Sequence, residues 1–294
     1  MKKHKVLSVF IIIGVVILVL GVFTTIAGFA AGGRIDSGFN WSDYFSLPRR
    51  NWDGTGKTVR DTENIDYNIK ATVNSINIDV AVGDIEIIPN AQNARVEVRD
   101  YPKGILSISE DSGTLTIRDM SGYNININRP ALLKITIYLA GSDLNNVDIK
   151  VDAGNVNVGG IKADGITLEL DAGDLTITDA VFGKLDCRLA FGKADILDTT
   201  VGTLYAKLDA GDFKFSGDIT KEADIKNNFG NVKLDLKEAE DNYYFDCSVS
   251  FGDISVNNNS SSGIGKRNVT FGSSNAPVKI KIEVDAGDIT VKTK

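Results

Sequence analysis

The chain has 294 residues, 43% of them hydrophobic and 24% charged, with a formal net charge of −7 and a single histidine. That length holds one large or two ordinary domains. The lone His4 excludes Ser-His-Asp and Cys-His nucleophiles and His-containing zinc sites beyond the N-terminus, and an acidic balance without a basic, aromatic-interleaved stripe argues against nucleic acid and anionic lipid head groups as partners.

Residues 1–5 carry Lys2, Lys3, His4 and Lys5, and the run 6–31, from Val6 to Ala31, has no charged residue. About 20 apolar residues cross a bilayer, and a basic cluster ahead of such a run predicts a cytoplasmic N-terminus. The expectation is a single transmembrane anchor over 6–31, holding an extracytoplasmic C-terminal part at the cell membrane. The alternative is a cleaved signal peptide ending near Gly28, Phe29 and Ala30, although its apolar stretch is ordinarily only about 7–15 residues. Beyond the anchor 39 acidic side chains face 29 basic ones, since Lys2, Lys3 and Lys5 precede it; solubility accounts for that charge. Residues 32–64 show neither helical nor strand periodicity and form a linker. Its Trp41, Tyr44, Phe45 and Trp52 suit the membrane interface or packing on the domain.

From Ile65 to the end, apolar residues alternate with polar ones, as in Ile76, Ile78, Val80, then Ile85, Ile87, and later Ile135, Ile137, Leu139. Period-two runs bounded by Gly, Asn and Asp predict half-buried strands. Within 65–294 lies an internal repeat. Gly154, Gly173, Gly192, Gly211 and Gly230 are spaced by 19 residues, Gly252 and Gly287 continue less regularly, and Gly83 is an isolated earlier echo. The words around them are VDAGNVNV, LDAGDLTI, LAFGKADI, LDAGDFKF, NNFGNVKL, VSFGDISV and VDAGDITV. Aligned on the glycine, apolar columns stand five and three residues before it and two and four after it. Each unit is two short strands hinged at glycine that cannot bury its apolar face alone, so units must stack. Matching columns predict equivalent strands side by side in parallel: an all-β, right-handed parallel β-helix (β-solenoid) of about 19 residues per coil, the handedness following from that of parallel crossovers. An antiparallel sandwich is the runner-up, because strands at 8–12-residue spacing also fit it.

The segment KITIYLAGSDLNNVDIKVDAGNVNV, followed by repeated DAGD and FG words behind an apolar N-terminal run, resembles the bacterial β-strand-repeat adhesin-like family. This is a domain-of-unknown-function family that includes LiaG-like proteins of cell-envelope stress operons. The resemblance spans about 65–294. It implies a right-handed parallel β-helix and an envelope setting, and it carries over no catalytic residue.

Four features invite a site. Cys187 and Cys247 share one core column, three coils apart in sequence order, or roughly 14 Å, whereas a disulfide needs Cα atoms within about 7 Å; two buried free thiols are expected. Asp152, Asp171, Asp209 and Asp285 precede the glycine by two, and Asp174, Asp212, Asp253 and Asp288 follow it by one. Such stacked carboxylates could ligate Ca²⁺ or attack a glycosidic bond. Ala190, Asn228, Ser250 and Lys193 interrupt the two columns, however, and Asp or Asn at a turn ordinarily satisfies backbone amides. Phe191, Phe229, Phe251 and Phe271 replace the Ala of the DAG words. They are expected to fill the corner of the core, with a sugar-stacking ladder as the alternative. The stretch 257–275, with Lys266 and Arg267, reads as a loop that breaks the register.

The reading is a non-enzymatic, membrane-anchored binding or scaffolding module of the cell envelope, its partner an envelope protein or a cell-wall polymer. No catalytic, cofactor-binding or metal-ligating residue is assigned. The competing reading, a carbohydrate-active β-helix enzyme, requires a cleft with an off-register cluster of acids.

Overall fold

The structure, a computed structural model, describes residues 57–59, 61–120, 123–125, 133–262 and 264–294. The anchor expected over 6–31, the cytoplasmic segment expected over 1–5 and most of the expected linker lie outside them. Among the described residues no helix is long and apolar enough to cross a membrane. Their only helical turn is the 3-10 segment Glu240–Asn242.

The period-two alternation becomes strands, and the glycine repeat becomes a stack. Ser75–Val82 and Asp84–Ile88 flank Gly83; Asp143–Ala153 and Val156–Gly159 flank Gly154; Lys162–Ala172 and Leu175–Thr178 flank Gly173. Val181–Phe191, the long strands Ala194–Ala210 and Phe213–Phe229, and Val232–Leu236 carry the next three corners, at Gly192, Gly211 and Gly230. Each such rung pairs in parallel with its neighbour, from Gly154 to Gly230 at an offset of one repeat. The column three before the glycine runs Val80, Val151, Leu170, Leu189, Leu208, Asn227. Two after it run Ile85, Val156, Leu175, Ala194, Phe213, Val232.

The stack departs from sequence order at both ends. Gly83 is no isolated echo, because its rung pairs directly with that of Gly154 although 71 residues separate Asp84 from Asn155. Below it, Thr114–Asp119 and Lys134–Tyr138 add another parallel rung. Towards the C-terminus the strands Val278–Ala286 and Ile289–Lys292, around Gly287, pair in parallel with the Gly230 rung. On their other side they pair in parallel with Tyr243–Phe251 and Ile254–Val256, around Gly252. The last rung in sequence therefore sits between two earlier ones.

Antiparallel strands then cover the outermost rungs. Arg95–Pro102 lies on Lys134–Tyr138 and carries Thr62–Asn68, while Leu106–Asp111 lies on Thr114–Asp119. At the other end Ile264–Gly272 lies on Tyr243–Phe251, and Asn259–Ser261 on Ile254–Val256. Residues 257–275 are thus mainly a capping hairpin and not the loop expected. The register breaks there because antiparallel pairing replaces the coil. Lys57–Val59 and Tyr123–Ile125 form a separate two-stranded parallel sheet.

Inward side chains from successive rungs form one continuous core, from Ile76 and Leu115 through Leu168, Leu185 and Leu204 to Phe245 and Ile282, all 2% exposed or less. No rung closes that core on its own, and burial of these columns between rungs is the main driving force for the fold.

Candidate functional site

The corner of the stack is built on a column of eight glycines, in spatial order Gly83, Gly154, Gly173, Gly192, Gly211, Gly230, Gly287, Gly252. All have φ between +129° and +150°, a region that L side chains rarely adopt. A Cβ on Gly154, Gly173, Gly192, Gly211, Gly230, Gly287 or Gly252 would run into the carbonyl group of the glycine on the adjoining rung. Close rung approach and backbone conformation therefore both demand glycine. The tight corner is held by backbone bonds such as Gly173 N–H to Phe191 C=O (2.9 Å) and Gly192 N–H to Ala210 C=O (3.1 Å).

The residue after most of these glycines ties its rung to the next. Asp84 Oδ1 accepts from Asn155 N–H at 2.8 Å, Asn155 Oδ1 from Asp174 N–H at 2.9 Å, and Asp174 Oδ1 from Lys193 N–H at 3.0 Å. Beyond Lys193 the ladder resumes, with Asp212 Oδ1 accepting from Asn231 N–H at 2.8 Å, Asn231 Oδ1 from Asp288 N–H at 3.0 Å, and Asp288 Oδ1 from Asp253 N–H at 2.8 Å. Lys193 interrupts it because an ammonium has no acceptor; its Nζ pairs with Asp195 at 3.4 Å. Two residues before the glycine the outward groups also bond along the stack, Asn228 Nδ2 to Asp209 Oδ1 at 3.1 Å and Ser250 Oγ to Asp285 Oδ1 at 3.5 Å. Asp and Asn recur here because each ties one rung to the next. Among the described residues no group of three or more His, Cys, Asp and Glu stands close enough to hold a metal ion.

The phenylalanines are not where alternation puts them. Phe191 is 51% exposed and Phe251 48%, and Phe229 is half-buried. They stand on the outer rim of the corner and do not fill the core, because the carbonyl-to-glycine packing there leaves no interior room for a ring. The column just before the glycine reads Val82, Ala153, Ala172, Phe191, Ala210, Phe229, Ala286, Phe251 along the stack. Ala210, between two phenylalanines, is buried, whereas Ala153 and Ala172 are half-buried. Phe271 is not in this column. It sits on the capping hairpin opposite Phe245 and packs partly against the core.

Cys187 and Cys247 are free and buried. Because the Gly287 rung intervenes, their column runs Cys187, Ala206, Ile225, Ile282, Cys247. The separation is four rungs instead of the three expected, about 19 Å, and burial pushes both thiols up to about 12. Arg267 reaches Asp253 at 3.6 Å and latches the hairpin to the last corner. Lys266 beside it is exposed.

One feature lay unread in the sequence. On the outer face of the sheet, Lys184, Asp186, Arg188, Tyr205, Lys207, Asp224 and Lys226 line an open depression of about 430 Å³. Tyr205 donates to Glu222 Oε1 at 3.0 Å, a bond that holds its phenol above the ordinary value, and the Lys184 ammonium lies 5.1 Å from its ring centre. Arg188 bridges Glu169 (3.1 Å) and Asp186 (3.4 Å), and Lys226 pairs with Glu283 at 3.7 Å. The signal was the same 19-residue period in the outward columns, Arg188, Lys207, Lys226 and Asp186, Tyr205, Asp224. Exposed pairs of this kind contribute little each, and their charges largely cancel.

The family described as Toastrack DUF4097 matches residues 58–292. A comparison with curated proteins gives no match. Among solved structures, a Bacteroides fragilis protein described as a "putative adhesin" is 15% identical, with 81% of this chain and 100% of that one covered at a TM-score of 0.43. A "putative cell adhesion protein" from Clostridium sporogenes is 14% identical, covering 80% and 100% at a TM-score of 0.36. A "putative lipid binding protein" from Parabacteroides distasonis is 12% identical, covering 79% and 98%, also at 0.36.

Proposed function

The chain belongs to the Toastrack DUF4097 family, and from that premise we propose that it is a non-enzymatic binding or scaffolding module of the bacterial cell envelope, engaging a cell-wall polymer through its repeating outer surface. The segment 6–31 anchors it in the cell membrane with the N-terminus inside, and the stack, its coils wound right-handed as parallel crossovers are, stands outside. Its similarity to LiaG-like proteins supports a setting in envelope stress.

The observation that carries this reading is the fate of the acids. A glycosidase or lyase needs a pair of carboxylates set apart from the scaffold and free to act. Asp84, Asp174, Asp212 and Asp288 instead each accept a backbone amide from the adjoining rung. What the surface offers is rows of side chains at rung spacing, suited to a repeating partner.

Co-sedimentation of the detergent-purified full chain with isolated cell-wall sacculi tests this, together with measurement of new reducing ends and unsaturated sugars in the supernatant. Saturable sedimentation without released sugar is expected. Release of sugar would establish an enzyme, and failure to sediment would remove the wall polymer as partner.

A further inference from the structure

We infer that the phenylalanine row at the glycine corner is a binding platform for an extended β-1,4-linked N-acetylated glycan, with Phe191, Phe229 and Phe251 stacking on every second sugar; this rests on the envelope-binding reading above and names its ligand.

Phe191, Ala210, Phe229, Ala286 and Phe251 occupy successive rungs of one column, so the three rings recur at every second rung, about 9.6 Å apart at a rung spacing of about 4.8 Å. In an extended β-1,4-linked chain each sugar is turned over relative to the last, so the same face recurs at every second sugar. The advance per sugar is close to one rung. A flat aromatic platform at alternate rungs therefore meets like faces of alternate sugars, and the alanines between leave room for the inverted ones. The apolar C–H face of a pyranose covers an aromatic ring and removes its exposed area from water. Phe191 and Phe251 are two of only four large hydrophobic side chains exposed among the described residues.

Corner packing does not call for these rings. Ala153 and Ala172 hold the same place on rungs with the same glycine, the same backbone bonds and the same carbonyl contact. The flanks suit sugar hydroxyls and acetamides. On one side run Asp209, Asn228, Asp285 and Ser250, on the other Asp212, Asn231, Asp288 and Asp253. Carboxylates accept from hydroxyls, side-chain amides both accept and donate, and the acidic flank disfavours a polyanion. From Phe191 to Phe251 the row spans four rungs, about 19 Å, a footprint of about five sugars.

The test titrates the detergent-purified full chain with N-acetylglucosamine hexamer (chitohexaose), and with the α-1,4-linked glucose hexamer as control, by calorimetry, alongside sacculus sedimentation. Binding of chitohexaose alone is expected, with Phe191→Ala and Phe251→Ala each weakening it about tenfold, the loss of one stacked aromatic contact, and Phe251→Tyr retaining it. The variant Phe229→Ala/Ala286→Phe keeps the number of rings but breaks their two-rung spacing, and is expected to bind as weakly as Phe229→Ala. Unchanged circular dichroism verifies that each variant is folded, and at least the exposed Phe191→Ala and Phe251→Ala replacements remove nothing from the core. Chitohexaose binding insensitive to all these changes overturns the row as the site. Sacculus binding without chitohexaose binding overturns the ligand class and leaves the envelope module standing. Absence of both overturns the two readings together.

Discussion

Gly192→Ala isolates the physical basis of the stack. At φ +137° an alanine enters a glycine-only region, at about 1–3 kcal/mol. Its methyl group would also overlap the Gly173 carbonyl, so the rungs must part locally. That strains the bonds from Gly173 N–H to Phe191 C=O and from Leu175 N–H to Lys193 C=O, which join these two rungs, about 0.5–1.5 kcal/mol each. The total is about 2–6 kcal/mol, and at ~2–4 °C per kcal/mol for a domain of this size the melting temperature should fall by roughly 4–24 °C. Two other glycines separate the causes. Gly104, at φ +72° with nothing within 4 Å of an added Cβ, carries a milder left-handed backbone penalty and no clash, and Gly141 carries neither. Thermal unfolding followed by far-ultraviolet circular dichroism should rank Gly192→Ala well below Gly104→Ala, and that below Gly141→Ala. Equal melting of Gly192→Ala and Gly104→Ala would show that carbonyl-to-glycine packing contributes nothing, and the corner argument would fail.

Lys193→Asn supplies the acceptor missing from the ladder between Asp174 and Asp212, and denaturant unfolding should show a gain of about 0.5–1.5 kcal/mol. Asn227 is 1% exposed in an otherwise apolar column, with Nδ2 bonded to Gly211 C=O at 2.8 Å and Oδ1 without a partner. Asn227→Leu should therefore raise stability by about 1 kcal/mol, since relief of the orphaned oxygen and new apolar burial outweigh the lost bond. The Cys187 and Cys247 thiols, raised to about 12 by burial, should resist maleimide at neutral pH in the folded protein and both react in denaturant. Deleting residues 276–294 withdraws the rung between those of Gly230 and Gly252, and should expose Cys247 to maleimide while Cys187 stays protected. Protection of Cys247 in that variant would mean that the Gly252 rung docks directly on Gly230.

Legibility followed periodicity. The 19-residue spacing disclosed the parallel columns from Gly154 to Gly230 because identical residues at identical offsets must meet when rungs stack. It could not disclose that Gly83 joins the same column, since the strands that follow, Arg95–Pro102 to Lys134–Tyr138, first build the rung on the other side of Gly83 and its antiparallel cover, and return points are set by which sheet edge is free. Nor could it show the Gly287 rung slipping between those of Gly230 and Gly252. Both columns look alike in sequence, and the choice belongs to the hairpin 259–272, which pairs antiparallel on the Gly252 rung and turns the chain back. The phenylalanines were misplaced for a different reason. Period-two alternation predicts the residue before the glycine to face inward, as Val151 and Ile149 do, but a positive-φ glycine interrupts the alternation and leaves that side chain on the rim.

The closing strands bear on how such a stack can bind. A bare terminal rung would present an unpaired row of N–H and C=O groups, on which a second molecule could add end to end. Here the terminal rungs are covered by Arg95–Pro102, Leu106–Asp111, Asn259–Ser261 and Ile264–Gly272. Further out, the register of Thr62–Asn68 breaks between Glu63 and Ile65, and that of Ile264–Gly272 breaks opposite Val249 and Phe251. A bulged, twisted strand is a poor template for another flat one. Sheet extension is thus disfavoured at the bulged edges Thr62–Asn68 and Ile264–Gly272, which favours lateral recognition by columns of like side chains running the length of the stack. A partner matched to such columns gains a contact at every rung or every second rung only if it repeats itself, and a polymer does so by construction.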